Sequence, residues 1–382
     1  TMVGTNTGFY ATVSDANTVT QSYLWGGSRG VYFESGSDYN AISLSTMISD
    51  SPSSSALYLA QSSSNTIQSS YIQGSTAALV VGSTGTVITS SVLVATNTIG
   101  NALNLTGGSS GLSLSLNTIL GGPLGNGVLI DGASGGSLVL STNTILAGAE
   151  RVIAVLNTPV GASVWITSNT ILGTITPGRD TMGINLSGLA SGATVANNGI
   201  YYRTPGSGNA TGPLIVQNSP GVVIEHNRMS NPGMLIAGDY RGLFLFNADN
   251  ASVWFNDFHS TGTGLGIFNL VELFGNSNGV ILRDNVFSSS VTATVSSATL
   301  SVSADSQAGF VSDYNDFFSS NSLTSLVWGA QGYSTLAAWQ AGTGMDSNSI
   351  SRHPRWFDPA AGAEDFHPLS QAGRWDGAGF VN

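Results

Sequence analysis

The 382-residue chain carries 21 acidic and 10 basic residues, a formal net charge of −11, and only 8% charged residues, against roughly 25% in an ordinary globular domain. Every basic residue is Arg and there is no Cys, which excludes disulfides and thiolate metal sites. The shortage of basic patches argues against nucleic acid as a partner, and no apolar run approaches the roughly 18 residues that membrane insertion by a helix needs.

The chain opens on Thr1-Met2-Val3-Gly4, which reads as the middle of a coil and predicts a preceding segment. From there one phrase recurs: apolar, two residues, Ser or Asn, one residue, apolar. It first appears as Val19-x-x-Ser22-x-Leu24, then around Ser45, Ser70 and Ser91. It continues around Asn117, Asn143, Asn169, Asn198, Asn227, Asn256, Asn285 and Asn315. The steps are 23, 25, 21, 26, 26, 26, 29, 29, 29, 29 and 30 residues, a near-constant period that predicts a solenoid. Asn65-Thr66-Ile67 and Asn97-Thr98-Ile99 repeat the wording out of phase and blur the early register.

A second apolar run lies between most phrases, as in Val31-Tyr32-Phe33, Val128-Leu129-Ile130 and Leu243-Phe244-Leu245, so each coil carries at least two short strands. Strands of successive coils pair about 4.8 Å apart, and inward residues pile into ladders of Val, Ile, Leu and later Phe. The Ser/Asn column belongs at a corner, where a side-chain amide bonds its own backbone and its stacked neighbours. Twelve phrases give a rod roughly 55 Å long. The fold class predicted is all-β, a right-handed parallel β-helix over residues 1–320, with a capping segment over 321–382. In that segment Ser334 to Ala341 reads as a short helix with Trp339 inward.

Ser168-Asn169-Thr170-Ile171 and Glu225-His226-Asn227-Arg228-Met229 resemble the repeats of pectate-lyase-like right-handed β-helix proteins. The closing segment, with Ala338-Trp339-Gln340, Asp346-Ser347-Asn348-Ser349-Ile350, Asp358-Pro359, Asp365-Phe366-His367 and Gly373-Arg374-Trp375-Asp376-Gly377, resembles the end of large secreted bacterial β-helix proteins. The first resemblance implies the scaffold; enzymes of that kind imply an Arg or Lys base with Ca²⁺-binding acids, or clustered Asp residues. No Asp-Asp pair, no Lys and no Asp-x-Asp-x-Asp-Gly loop occurs here.

One cluster remains. Glu225, Trp254 and Arg283 each lie two residues before the column Asn and share one column. Arg228 and Asp257 share the column just after it; His226 and Asp284 share the column just before it. As a ligand-binding face, Trp254 would stack on a sugar and Arg283 or Arg228 would meet a carboxylate. As plain surface, the opposite charges pair across coils for roughly 0 to 1 kcal/mol each. A hydrolase would need Glu225 with Asp257 or Asp284 at roughly 5 to 9.5 Å. His259 reads as a surface or corner histidine. His353 and His367, near Asp358, Glu364 and Asp365, read as loop scatter rather than a metal site. The Gly-x-Ser-x-Gly matches at Ser28, Ser109, Ser134 and Ser277 read as coil corners. Thr118, Thr144 and Thr170 form an outward ladder.

The sequence therefore predicts an extracellular or cell-surface, non-catalytic structural or adhesive solenoid without cofactor or metal. The alternative is a carbohydrate-binding or polysaccharide-degrading β-helix. The expected partners are polysaccharide or other copies of the chain.

Overall fold

A computed structural model describes residues 1–148, 151–173, 181–202, 212–236, 239–264, 266–293, 296–320, 324–359, 365–368, 374–375 and 380–381. It shows a right-handed parallel β-solenoid of about 11 turns. Each coil visits three sheets in turn. The first sheet has 13 strands, from Met2–Gly4 to Asp316–Ser319; the second has 14, from Thr7–Thr12 to Gln331–Tyr333; the third has 12, from Thr18–Thr20 to Val311–Asp313.

A coil thus has three strands, where two or more were expected. The recurring phrase hides the third because it straddles a corner. In Ile224-x-x-Asn227-x-Met229, Ile224 belongs to the third-sheet strand Val223–Glu225 and Met229 to the first-sheet strand Arg228–Ile236. The turn between them uses a single left-handed residue, His226 at φ 55°, and the same position holds Ser168, Asn197, Phe255, Asp284 and Tyr314 at φ 55 to 61°. That conformation costs a non-glycine residue about 1–2 kcal/mol, so the next residue must repay it.

The Asn column does so. The Asn143 side-chain oxygen accepts from the backbone N–H and the Nδ2 of Asn117, both at 3.0 Å, while Asn117 Nδ2 also donates to the Ile88 carbonyl at 2.9 Å. The pattern repeats through Asn169, Asn198, Asn227, Asn256, Asn285 and Asn315. In the early coils Ser hydroxyls accept the same N–H, as Ser70 Oγ does from Ser45 at 3.2 Å. The out-of-phase Asn65 belongs to a second ladder at the entrance to the third sheet, where it accepts from Asn40 N–H at 2.8 Å. Asn97 is a corner residue whose Nδ2 donates to the Pro52 carbonyl. Ser109 and Ser277 sit at corners between the second and third sheets, where their hydroxyls accept from Ser83 N–H and Ala248 N–H of neighbouring coils.

Inward residues fill the rod. On the first sheet Leu24, Met47, Ile72, Leu93, Ile119, Ile145, Ile171 and Ile200 are fully buried. The column ends in Phe258, Phe287 and Phe317, stacked at 5.0 and 5.2 Å.

The terminal segment continues the corner for one more rung. Asn315 N–H donates to Ser349 Oγ at 2.8 Å, and Phe317 N–H donates to the Ile350 carbonyl. The helix runs Leu336–Thr343, two residues later than expected, because Thr335 caps it by accepting from Ala338 N–H. Trp339 is fully buried, edge-on to Trp328 and Tyr333. Glu364, Gly373, Asp376 and Gly377 lie outside the described residues.

His259 is not a free surface residue. It packs edge-on against Trp356 at 5.0 Å and Phe366 at 6.1 Å, so the returning segment covers it. Burial, helped by the nearby His353, pushes its imidazole down to about 4. The neutral ring is the docked form. Its contribution is therefore complete above about pH 6.5 and is lost as pH falls toward 4. Asp257, pushed up to about 6, acts oppositely in the same window, since its carboxylate is the costlier form. We expect limited proteolysis to reach residues 352–368 more readily as pH falls from 6.5 to 4, and His259→Gln to flatten that dependence. A His259 NMR titration with a midpoint near 6.5 would contradict it.

Candidate functional site

The predicted cluster divides across the corner. Glu225, Trp254 and Arg283 are paired neighbours on the third sheet, in one outward column. Their polar groups are already engaged: Trp254 Nε1–H donates to Glu225 Oε2 at 2.8 Å, and Arg283 lies 5.9 Å from the Tyr314 ring. Against its desolvation, hydrogen bonds from Asn348 and, to a lesser degree, the Arg283 guanidinium hold the Asp313 carboxyl below its usual range.

Arg228 and Asp257 are paired neighbours on the first sheet. His226 and Asp284 occupy the left-handed corner column, with Phe255 between them. His226 stacks on Phe255 at 5.1 Å and 20°.

His226, Arg228 and Asp257 face an open cleft of about 470 Å³ with Tyr201, Phe255, Thr170, Asn197 and Asn198 in its walls; Glu225, Trp254, Arg283 and Asp284 do not line it. Its shape has a local cause. The outward column that holds Thr118, Thr144 and Thr170 continues as Gly199, Arg228 and Asp257. A Cβ on Gly199 would stand 2.4 Å from the Tyr201 hydroxyl. The missing side chain lets the Tyr201 ring lie across the coil and ends the threonine ladder in a hollow.

The cleft is polar with an aromatic edge. Burial raises Asp257 to about 6, and the Arg228 guanidinium pulls it back down. Among the described residues lining the cleft, Asp257 is the one carboxylate. Tyr201 and Phe255 were not singled out from the sequence. The signal for Phe255 was present, because a large apolar residue directly before the column Asn has nowhere to go but outward, and it is 52% exposed.

Residues 1–127 match the family model described as periplasmic copper-binding protein (NosD). No curated protein matches the chain. The chain is a right-handed parallel β-helix protein. The match covers the first third of its length.

The family description names copper, which favours imidazole, thiolate and thioether donors. The matched residues contain no His and no Cys, and their two Met are Met2 and the fully buried Met47. All four His come later in the chain. These coils do not fit a copper site, and among the described residues no group of three His, Asp or Glu could hold a metal ion. No helix among the described residues is long and apolar enough to cross a membrane.

Proposed function

We propose that this chain is a non-catalytic adhesive β-solenoid of the cell envelope or exterior, and that its corner cleft holds a uronate-containing polysaccharide. The observation that carries this reading is the cleft beside the Asn ladder. It offers an aromatic edge (Phe255, Tyr201), amides and hydroxyls (Asn197, Thr170), and a cation, Arg228, whose neighbour Asp257 is biased toward its neutral form. A sugar ring stacks on aromatic faces, and an exposed guanidinium binds a carboxylate in a charge-assisted pair. Glycoside hydrolysis uses two carboxyls; Asp257 alone among the described lining residues supports binding rather than turnover. The family description of the N-terminal third, which names the periplasm, supports a place outside the cytoplasm.

The test is binding to soluble alginate and polygalacturonate by titration calorimetry. Arg228→Ala and Phe255→Ala should each weaken retention at least about tenfold, equivalent to roughly 1.4 kcal/mol. Circular dichroism should stay unchanged, because both side chains are exposed. Binding should also tighten as pH falls from 7 to 5, because protonating Asp257 frees Arg228 and removes a repelling charge. Absence of binding to either polymer, or variants that bind like the parent, refutes the reading.

A further inference from the structure

A second hollow, of about 320 Å³, lies on another face of the rod, over the outer side of the second sheet. Its floor is a column of rings, half-buried at Phe244 and Phe246 and exposed at Phe274. Phe246 and Phe274 are neighbours in adjacent coils, stacked at 5.9 Å, and Phe274 is 46% exposed. Gly275, at φ +65°, makes this possible: a Cβ there would stand 2.6 Å from the Phe246 ring, so the ring lies directly over the backbone. Packing within the rod gives no reason to leave the Phe274 end of this stack open, and exposed apolar patches mark binding sites.

The wall is charged, yet its charges are spoken for. Arg241 Nε is 2.6 Å from Glu272 Oε2, its Nη2 is 3.7 Å from Asp239, and its guanidinium lies 4.9 Å from the Phe244 ring. Neither the cation nor the Glu272 carboxylate is free for an ionic ligand. The polar group left at the rim is the amide of Gln217 beside Asn218, whose side-chain oxygen accepts from Asn247. Stacked rings, amides and a guanidinium already shared between two carboxylates match the C–H face and hydroxyls of an uncharged pyranose, and the surplus negative charge disfavours a uronate.

We propose that this hollow is a second carbohydrate site, specific for neutral pyranose rings and independent of the corner cleft. The volume suits a short stretch of a neutral glycan chain. The rod would then carry two sites of different charge preference on two faces.

The experiment titrates the intact chain with four uncharged oligosaccharides: cellohexaose, xylohexaose, laminarihexaose and chitohexaose. At least one should bind, Phe274→Ala should weaken it about tenfold or more, and Phe274→Tyr should preserve it. Arg228→Ala, in the other cleft, should leave it unchanged. Failure of all four sugars to bind, or Phe274→Ala binding like the parent, overturns the proposal. So does a loss seen with Arg228→Ala and not with Phe274→Ala. Alginate binding enters none of these outcomes, so the two carbohydrate readings fail separately.

Discussion

Replacing Asn198 by Ala should lower the stability of the rod by about 3–6 kcal/mol, far more than any surface change of similar size. Asn198 is 1% exposed. Its side-chain oxygen accepts from the Asn169 N–H at 2.9 Å and from Asn169 Nδ2 at 3.0 Å. Its Nδ2 donates to the Ile166 carbonyl at 2.8 Å and to Asn227 at 2.9 Å. Alanine strands a backbone N–H, an amide N–H and a carbonyl in a dry interior. Each buried orphan costs about 1–3 kcal/mol, and one damaged coil weakens its interfaces with both neighbours. Asn198→Ser should recover part of the loss, because the hydroxyls of Ser45, Ser70 and Ser91 accept the same N–H in the early coils. Urea midpoints followed by circular dichroism check the order. If Asn198→Ala is no worse than Thr144→Ala, at an exposed neighbour of the same corner, the ladder is ornament and not structure.

The second large effect should come from the terminal segment. Trp339 is fully buried and donates through Nε1 to Asp346 Oδ2 at 2.8 Å. Asp346 is itself 1% exposed and ties the last rung together, accepting from Ser312, Asn315 and Ser349. Trp339→Ala removes a fully buried indole from the cap, a change that costs about 3–5 kcal/mol in a well-packed site. It also takes a donor from a buried carboxylate. The last coil would then expose Trp328, which Trp339 meets edge-on, and Phe310, which packs against Trp328, together with unpaired strand edges. The expected result is a lower melting temperature together with concentration-dependent association by light scattering. Trp339→Phe should fall between, since it restores volume and not the N–H. A Trp339→Ala protein that melts and scatters like the parent would show that the solenoid end needs no cover.

The architecture was legible in the sequence because a solenoid is nearly one-dimensional. Each coil meets only its neighbours, so one periodic phrase suffices to locate the Asn column, the Phe ladder at Phe258, Phe287 and Phe317, and the outward neighbours Glu225, Trp254 and Arg283. The thirteenth rung at Ser349 was harder to see. It lies 34 residues after Asn315, beyond an inserted helix.

What lies around the circumference was decided by the tertiary structure alone. Period says which residues share a column, but not through what angle the chain turns between columns. One left-handed residue, His226, sends Glu225 and Arg228, three residues apart, onto different sheets. The same turn separates Trp254 from the cleft it was expected to line and brings in Tyr201 and Phe255. His259 was likewise unreadable, because its cover, Trp356 and Phe366, comes from about a hundred residues later in the chain. Contacts along the rod axis repeat and leave a trace in the sequence. Contacts made once, by a corner or a returning tail, have no period and leave none.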